Sequence, residues 1–118
     1  MTWAQWVDQN YSCEYVGIYG IFVWGRCIYV GQSSNIQKRF KAHANHVDNV
    51  INDTPDKDCI GKRGRKYEYL SRVKQEDTQF KVLEICAIED LNKKEQWWME
   101  YYKQPIFNYS KKPYKRKI

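Results

Sequence analysis

Two tyrosines, an arginine, a histidine and a glutamate in this 118-residue chain are of the types that could move a proton, grip an anion and hold a cation. Tyr19 and Tyr29 stand ten residues apart in Gly17-Ile18-Tyr19 and Tyr29-Val30-Gly31. They lie on two short apolar runs, Val16 to Val23 and Cys27 to Val30, separated by Trp24-Gly25-Arg26. Runs rich in Ile, Val, Phe and Tyr around a glycine that tolerates positive φ read as a β-hairpin. A two-residue Gly25-Arg26 loop would put the phenols on opposite faces. A three-residue loop from Trp24 to Arg26 is expected instead: it sets Tyr29 opposite Ile21 and Tyr19 opposite Gly31, with the phenols on one face at a diagonal of roughly 7 Å. The other face, Ile18, Phe22, Ile28 and Val30, is expected to be core. Tyrosines on a strand pair are most often packing residues, and a catalytic use needs nearby positive charge, because a free phenol with a pKa of about 10 stays protonated at neutral pH.

The elements that follow could supply that charge. Ser34 with Gln37 matches a capping box, and Ile36, Phe40 and Val47 then form an apolar helical stripe bordered by Arg39, His43 and His46. Asn52 to Gly64, with Pro55, Gly61 and Gly64 among charges, favours a loop, Lys66 to Gln75 a second helix, and Phe80 to Cys86 a third strand. A long helix should start at an Asp90 N-cap and run to about Tyr102, before Pro105. On it Leu91, Glu95, Trp98 and Tyr102 fall within a stripe roughly 60° wide, which sets Glu95 among core-facing residues. Burying that carboxylate alone would cost several kcal/mol, so it needs an arginine such as Arg39 or a divalent cation.

The ordered set, Gly17-Ile18-Tyr19, Tyr29-Val30-Gly31 with valine for the usual isoleucine, Arg39, His43, Glu95 and Asn108, resembles the GIY-YIG nuclease domain from about Val16 to Asn108. The resemblance implies an α/β (α+β) fold with a small three-stranded antiparallel sheet flanked by helices, and a divalent-metal-dependent endonuclease that hydrolyses DNA phosphodiester bonds. It implies that Glu95 is the sole protein carboxylate on one Mg²⁺ (or Mn²⁺) ion per active site, which stabilises the departing 3′-oxygen. Arg39 can grip the scissile phosphate through its planar fork of donors. One tyrosine should activate the attacking water, with Tyr19 preferred over Tyr29. His43 either shares the proton transfer, bonds the phosphate or is structural, and Asn108 braces the site or is an ordinary turn residue. A catalytically silent nucleic-acid-binding module of the same fold is the alternative.

Bulk properties agree with this reading. A net charge of +6 favours a polyanionic partner, DNA first, with RNA open. Lys38, Lys41, the run Lys62, Arg63, Arg65 and Lys66, and the tail residues Lys111, Lys112, Lys115, Arg116 and Lys117 are the candidate nucleic-acid contacts, as salt-dependent backbone contacts with little sequence choice. The expected organisation is one nuclease domain over 1–118, with a core of about 13–108 and a basic tail over 109–118. Short stand-alone phage or bacterial members are the nearest analogy, since the length leaves no room for a separate sequence-reading module. No apolar run approaches the roughly 20 residues needed to span a membrane, and the N-terminus lacks signal-peptide features, so a cytoplasmic, reducing location is expected. Cys13, Cys27, Cys59 and Cys86 form no Cys-x-x-Cys pair and are expected to be reduced, mostly buried thiols, and His43 with His46 lacks further ligands at the usual zinc spacing. Trp3, Trp6, Trp97 and Tyr101 add core or form a homo-oligomer contact.

Overall fold

The computed structural model describes residues 1–54 and 56–109. Its centre is strand β1 (Gly17–Val23), every residue of which is buried. Burial on both faces follows from position: β1 lies between β2 (Arg26–Ser33) and β3 (Thr78–Ile85) in an antiparallel sheet of order β2-β1-β3. Helices cover both sides. On one face α1 (Trp3–Asn10), α2 (Ile36–Ile51) and α3 (Arg65–Leu70) bury Trp3, Val7, Ile36, Phe40, Val47, Tyr67 and Leu70 against Tyr19, Ile21 and Phe80. On the other, α4 (Leu91–Tyr101) packs Leu91 and Met99 on Ile18 and Val30. The architecture is therefore α+β with a three-stranded antiparallel sheet, as expected.

The hairpin reaches the expected pairing by a different route. Tyr19 stands opposite Gly31 and Ile21 opposite Tyr29, yet Phe22 pairs with Cys27 and Val23 with Arg26, so the loop is the two-residue Trp24-Gly25 and Ile28 is the extra residue of a β-bulge. Trp24 (φ 50°) and Gly25 (φ 78°) are both left-handed, as a primed two-residue turn requires. The expected three-residue loop is thus corrected, although the parity that decides which face the phenols share is the same. The bulge also turns Ile28 into the Tyr19 side of the core, and the phenol face proves to be the larger core rather than the open one.

Three further expectations shift. Asn35, not Ser34, caps α2: its Oδ1 accepts from the Lys38 amide at 3.1 Å, while the Ser33 hydroxyl accepts from the Asn35 amide at 2.9 Å. The second helix stops at Leu70 instead of Gln75, because the chain turns with Arg72 N–H bonded to Tyr69 O and Val73 N–H to Leu70 O. The Ser71 hydroxyl, which donates to Glu68 O at 2.6 Å, competes for a helical acceptor at that point. The N-terminal aromatic segment is a helix, α1, whose first amides at Trp3 and Ala4 are bound by the Asp48 carboxylate of α2 at 2.8 and 3.0 Å. Trp3 is core and Trp6 partly buried, whereas Trp97 and Tyr101 are exposed. Cys13 is buried, the other three cysteines are half-buried, and all four are free thiols. Among the described residues no helix is long and apolar enough to cross a membrane.

Candidate active site

The edge strand β2 forms one wall of a cleft of about 660 Å³. Tyr29 enters it from β2, Arg39 from α2, Lys66 from α3, Glu95 from α4 and Asn108 from the segment after α4. Residues 79 positions apart in the chain, Tyr29 and Asn108, thereby share one small volume.

Tyr29 is set there by the period of the strand, and Asn108 locks that strand. The Asn108 side chain accepts from Val30 N–H through Oδ1 and donates to Val30 C=O through Nδ2, both at 2.8 Å. An amide used in this way replaces the neighbouring strand that an edge lacks. Phe107 N–H adds a bond to Ile28 C=O at 3.0 Å. Asn108→Ala is expected to cost about 1–3 kcal/mol by leaving two backbone groups of a packed strand without partners. Hydrogen exchange should show the loss as faster exchange at Val30, with α2 amides unchanged.

Tyr19 lies behind Tyr29, fully buried and outside the cleft lining. Its hydroxyl is 2.7 Å from His43 Nε2, and His43 Nδ1 is 2.8 Å from the Tyr67 hydroxyl. Gly31 makes this arrangement fit, because a Cβ there would collide with the Tyr19 ring and hydroxyl. Burial, with help from Tyr29, pushes the Tyr19 hydroxyl well above the usual phenol range, and Arg39 opposes it. His43 is also fully buried; burial first, then the charges of Arg39 and Lys66, hold its imidazole well below the usual range, so it is neutral. Because it does not line the cleft, His43 does not meet a ligand there directly. Both its nitrogens are committed to phenols, which also separates it from His46.

Tyr29 differs from Tyr19 in reaching the cleft. Burial and then Glu95 raise its pKa, whereas Arg39 and a hydrogen bond from Tyr19 lower it. The Lys66 ammonium lies 4.6 Å from the Tyr29 ring centre and 4.5 Å from that of Tyr67. Sequence patterning places Lys66 in a basic run of candidate nucleic-acid contacts, yet it is only 7% exposed and donates to Arg63 C=O at 3.1 Å. Burial, with Arg39 and Arg63 adding to it, brings the Lys66 pKa down to about 8.

Glu95 takes neither the arginine partner nor full burial. It is half-buried at the cleft, and its Oε1 accepts from Gln32 Nε2 at 3.0 Å, with the same amide also donating to Asn92 Oδ1 at 2.8 Å. Burial raises its pKa and the Gln32 bond partly offsets that. A half-buried carboxylate whose Oε1 is bonded to one amide could serve as one oxygen ligand to a hard divalent cation such as Mg²⁺.

Of the remaining basic candidates, Arg63 joins the cleft. Lys38 is exposed, Lys41 is paired with Asp8 at 3.0 Å, and Lys62 and Arg65 line a separate depression. Lys111, Lys112, Lys115, Arg116 and Lys117 lie outside the described residues. The sequence reading missed Gln32 and Tyr67. Gln32 follows the second tripeptide directly and alternates into place opposite Glu95, a signal available in principle, whereas the Tyr67 contact spans 24 residues and has no local signal. No protein-family model matches the chain, and neither does any curated protein or solved structure.

Proposed function

We propose that this chain is a divalent-metal-dependent endonuclease of GIY-YIG type that hydrolyses DNA phosphodiester bonds. The observation that carries the reading is the convergence of Tyr29, Arg39 and Glu95, from three separate elements, on one cleft beside a buried lysine. Phosphodiester hydrolysis needs an activated water, donors for the phosphoryl oxygens and stabilisation of the leaving oxygen. A divalent cation held by Glu95 would supply Lewis-acid stabilisation of the leaving oxygen.

The chain's own groups divide the other work. Arg39 and Arg63 present planar donor forks to the phosphate, and Lys66 adds a point charge beneath it. Tyr29, rather than the initially preferred Tyr19, is the phenol that meets water, since Tyr19 has no access to the cleft. A single direction of hydrogen bonding best supports a Tyr29 phenolate. We assign Tyr67 as the donor to His43 Nδ1 and His43 Nε2–H as the donor to Tyr19, which turns the Tyr19 hydroxyl proton toward Tyr29. In this scheme neutral His43 is a positioning residue that fixes the Tyr19 hydroxyl, and Tyr29 accepts the proton from water.

Incubation with supercoiled plasmid and Mg²⁺ tests the function. Nicked or linear product that disappears with EDTA and returns with excess Mg²⁺ is the expected result. A gel shift without cleavage under every divalent-metal condition would replace the enzyme with a binding module. Affinity should also carry the signature of Lys66. Its charge is present below about pH 8 and lost above it, so plasmid affinity should fall as the pH rises through that value. Lys66→Arg should flatten this fall, as measured by gel shift at constant ionic strength between about pH 7 and about pH 9.

A further inference from the structure

A second cluster of ligating side chains lies beside the cleft and shares His46 of α2 with its lining. Asp56 is the N-cap of the 3₁₀ turn Lys57–Cys59 and Cys59 its last residue, and the Cys59 amide bonds back to Asp56 C=O at 3.0 Å, which keeps the two residues together. They point at His46 on α2. One ligand atom from each of His46, Asp56 and Cys59 lies within 4.8 Å of the other two, with His46 Nδ1 3.0 Å from Asp56 Oδ2. We propose that His46, Asp56 and Cys59 form a binding site for a single zinc ion, separate from the Glu95 position.

Tetrahedral zinc with N, O and S donors spaces them roughly 3.3–3.8 Å apart, so the cluster needs only small side-chain rotations to close on the ion. The donor set selects the metal: a thiolate and an imidazole favour a borderline-soft cation over Mg²⁺, and one carboxylate plus one thiolate neutralise its two charges. The surroundings are those of a supported site. His46 Nε2 lies 3.7 Å from Asp58 Oδ2, the carboxylate partner that metal-bound histidines usually have on their second nitrogen. Asn49 Nδ2 donates to Asp56 Oδ2 at 3.1 Å, and the Asp58 amide to Asp56 Oδ1 at 3.0 Å, so the aspartate is already oriented. The His46 ring also packs on Tyr67, with centroids 4.8 Å apart. Three protein ligands leave the fourth position to water.

The placement gives the ion a task. Cys59 packs so closely on Gly64 that a Cβ at Gly64 would overlap the Cys59 carbonyl. The chain then runs directly into α3 with Lys66, and His46, Asp58 and Arg63 themselves line the cleft. Zinc would pin the 56–64 segment to α2 and so fix the basic wall of the cleft. Sequence spacing hides this site because its ligands are ten and thirteen residues from His46.

Cobalt titration of the metal-free, reduced protein is the test. One equivalent of Co²⁺ should give tetrahedral d–d bands with a thiolate charge-transfer band, and one equivalent of Zn²⁺ should abolish both while excess Mg²⁺ leaves them. Cys59→Ser should remove the charge-transfer band. Cys27→Ser and Glu95→Gln should keep it, the latter because the two metal positions are independent, so that failure of the nuclease reading leaves this test intact. Asp58→Asn should weaken cobalt binding by about 10-fold or more. Zinc should raise the thermal midpoint of the wild type but not of Asp56→Asn, which guards against a folding defect in the cysteine variant. Absence of a thiolate band in the wild type, or its persistence in Cys59→Ser, would overturn the proposal.

Discussion

Replacing Glu95 by glutamine is expected to lower Mg²⁺-dependent plasmid cleavage by at least about 10³-fold, because it removes the carboxylate proposed to hold the cation while leaving the shape of the side chain unchanged. The fold should survive. Glu95 is half-buried with its pKa raised by burial, so folding penalises its ionised form relative to the unfolded chain. A neutral isostere that still bonds the Gln32–Asn92 pair removes that cost, and the thermal midpoint should stay level or rise. DNA affinity measured without metal should also hold or increase, since a negative charge leaves a basic cleft. Together these readouts separate chemistry from structure. Unchanged cleavage in Glu95→Gln would remove the proposed role, and a lowered thermal midpoint with proportionate loss of activity would make Glu95 structural.

Tyr29→Phe is expected to lower the cleavage rate by about 10²–10⁴-fold with plasmid affinity held, as loss of a proton acceptor should. Tyr19→Phe should lower it by only about 10-fold, and at a different cost. It deletes the hydroxyl that bonds His43 Nε2, leaving a buried imidazole nitrogen without its partner, which should destabilise the fold by about 1–3 kcal/mol. Tyr29→Phe keeps that pair and removes a hydroxyl at the cleft, so it should cost less than Tyr19→Phe in urea denaturation. The pH–rate profile supplies the second readout. Burial and then Glu95 hold the Tyr29 pKa up, while Arg39 and the Tyr19 hydroxyl bring it down. Tyr19→Phe should therefore shift the alkaline rise in rate to higher pH, and Tyr29→Phe should abolish it. A deeper loss in Tyr19→Phe with the fold intact would exchange the two roles.

What the residues alone determined is the local order of the molecule. Alternation of Ile, Val, Phe and Tyr around Gly25 yields the hairpin, and the pairing of Tyr19 with Gly31 and of Ile21 with Tyr29 was legible because a strand's side chains repeat every two residues. The stripe Ile36, Phe40 and Val47 placed α2, and Asp90 with Pro105 bounded α4 to within a residue or so, although the Asp90 side chain makes no cap bond. Glu95 stood out as a carboxylate among core positions, and it does reach a shared cleft. The bulge at Ile28, by contrast, had no local mark, since a two-residue turn plus one bulged residue and a three-residue loop give the same parity.

Only the tertiary structure decided exposure and partnership. Helices on both faces of the sheet enclosed Tyr19 and left Tyr29 at the edge, a distinction invisible in two similar tripeptides. Lys66 belongs by composition to a charge run, but packing against Tyr29 and Tyr67 took it out of water. His43 and His46 look alike at a spacing of three, yet one is consumed by two phenols and the other meets Asp56 and Cys59 across a 3₁₀ turn. Periodicity fixes which way a side chain leaves its own element. The groups it meets there come from distant parts of the chain, and their arrival depends on burying a common core, which no local spacing encodes.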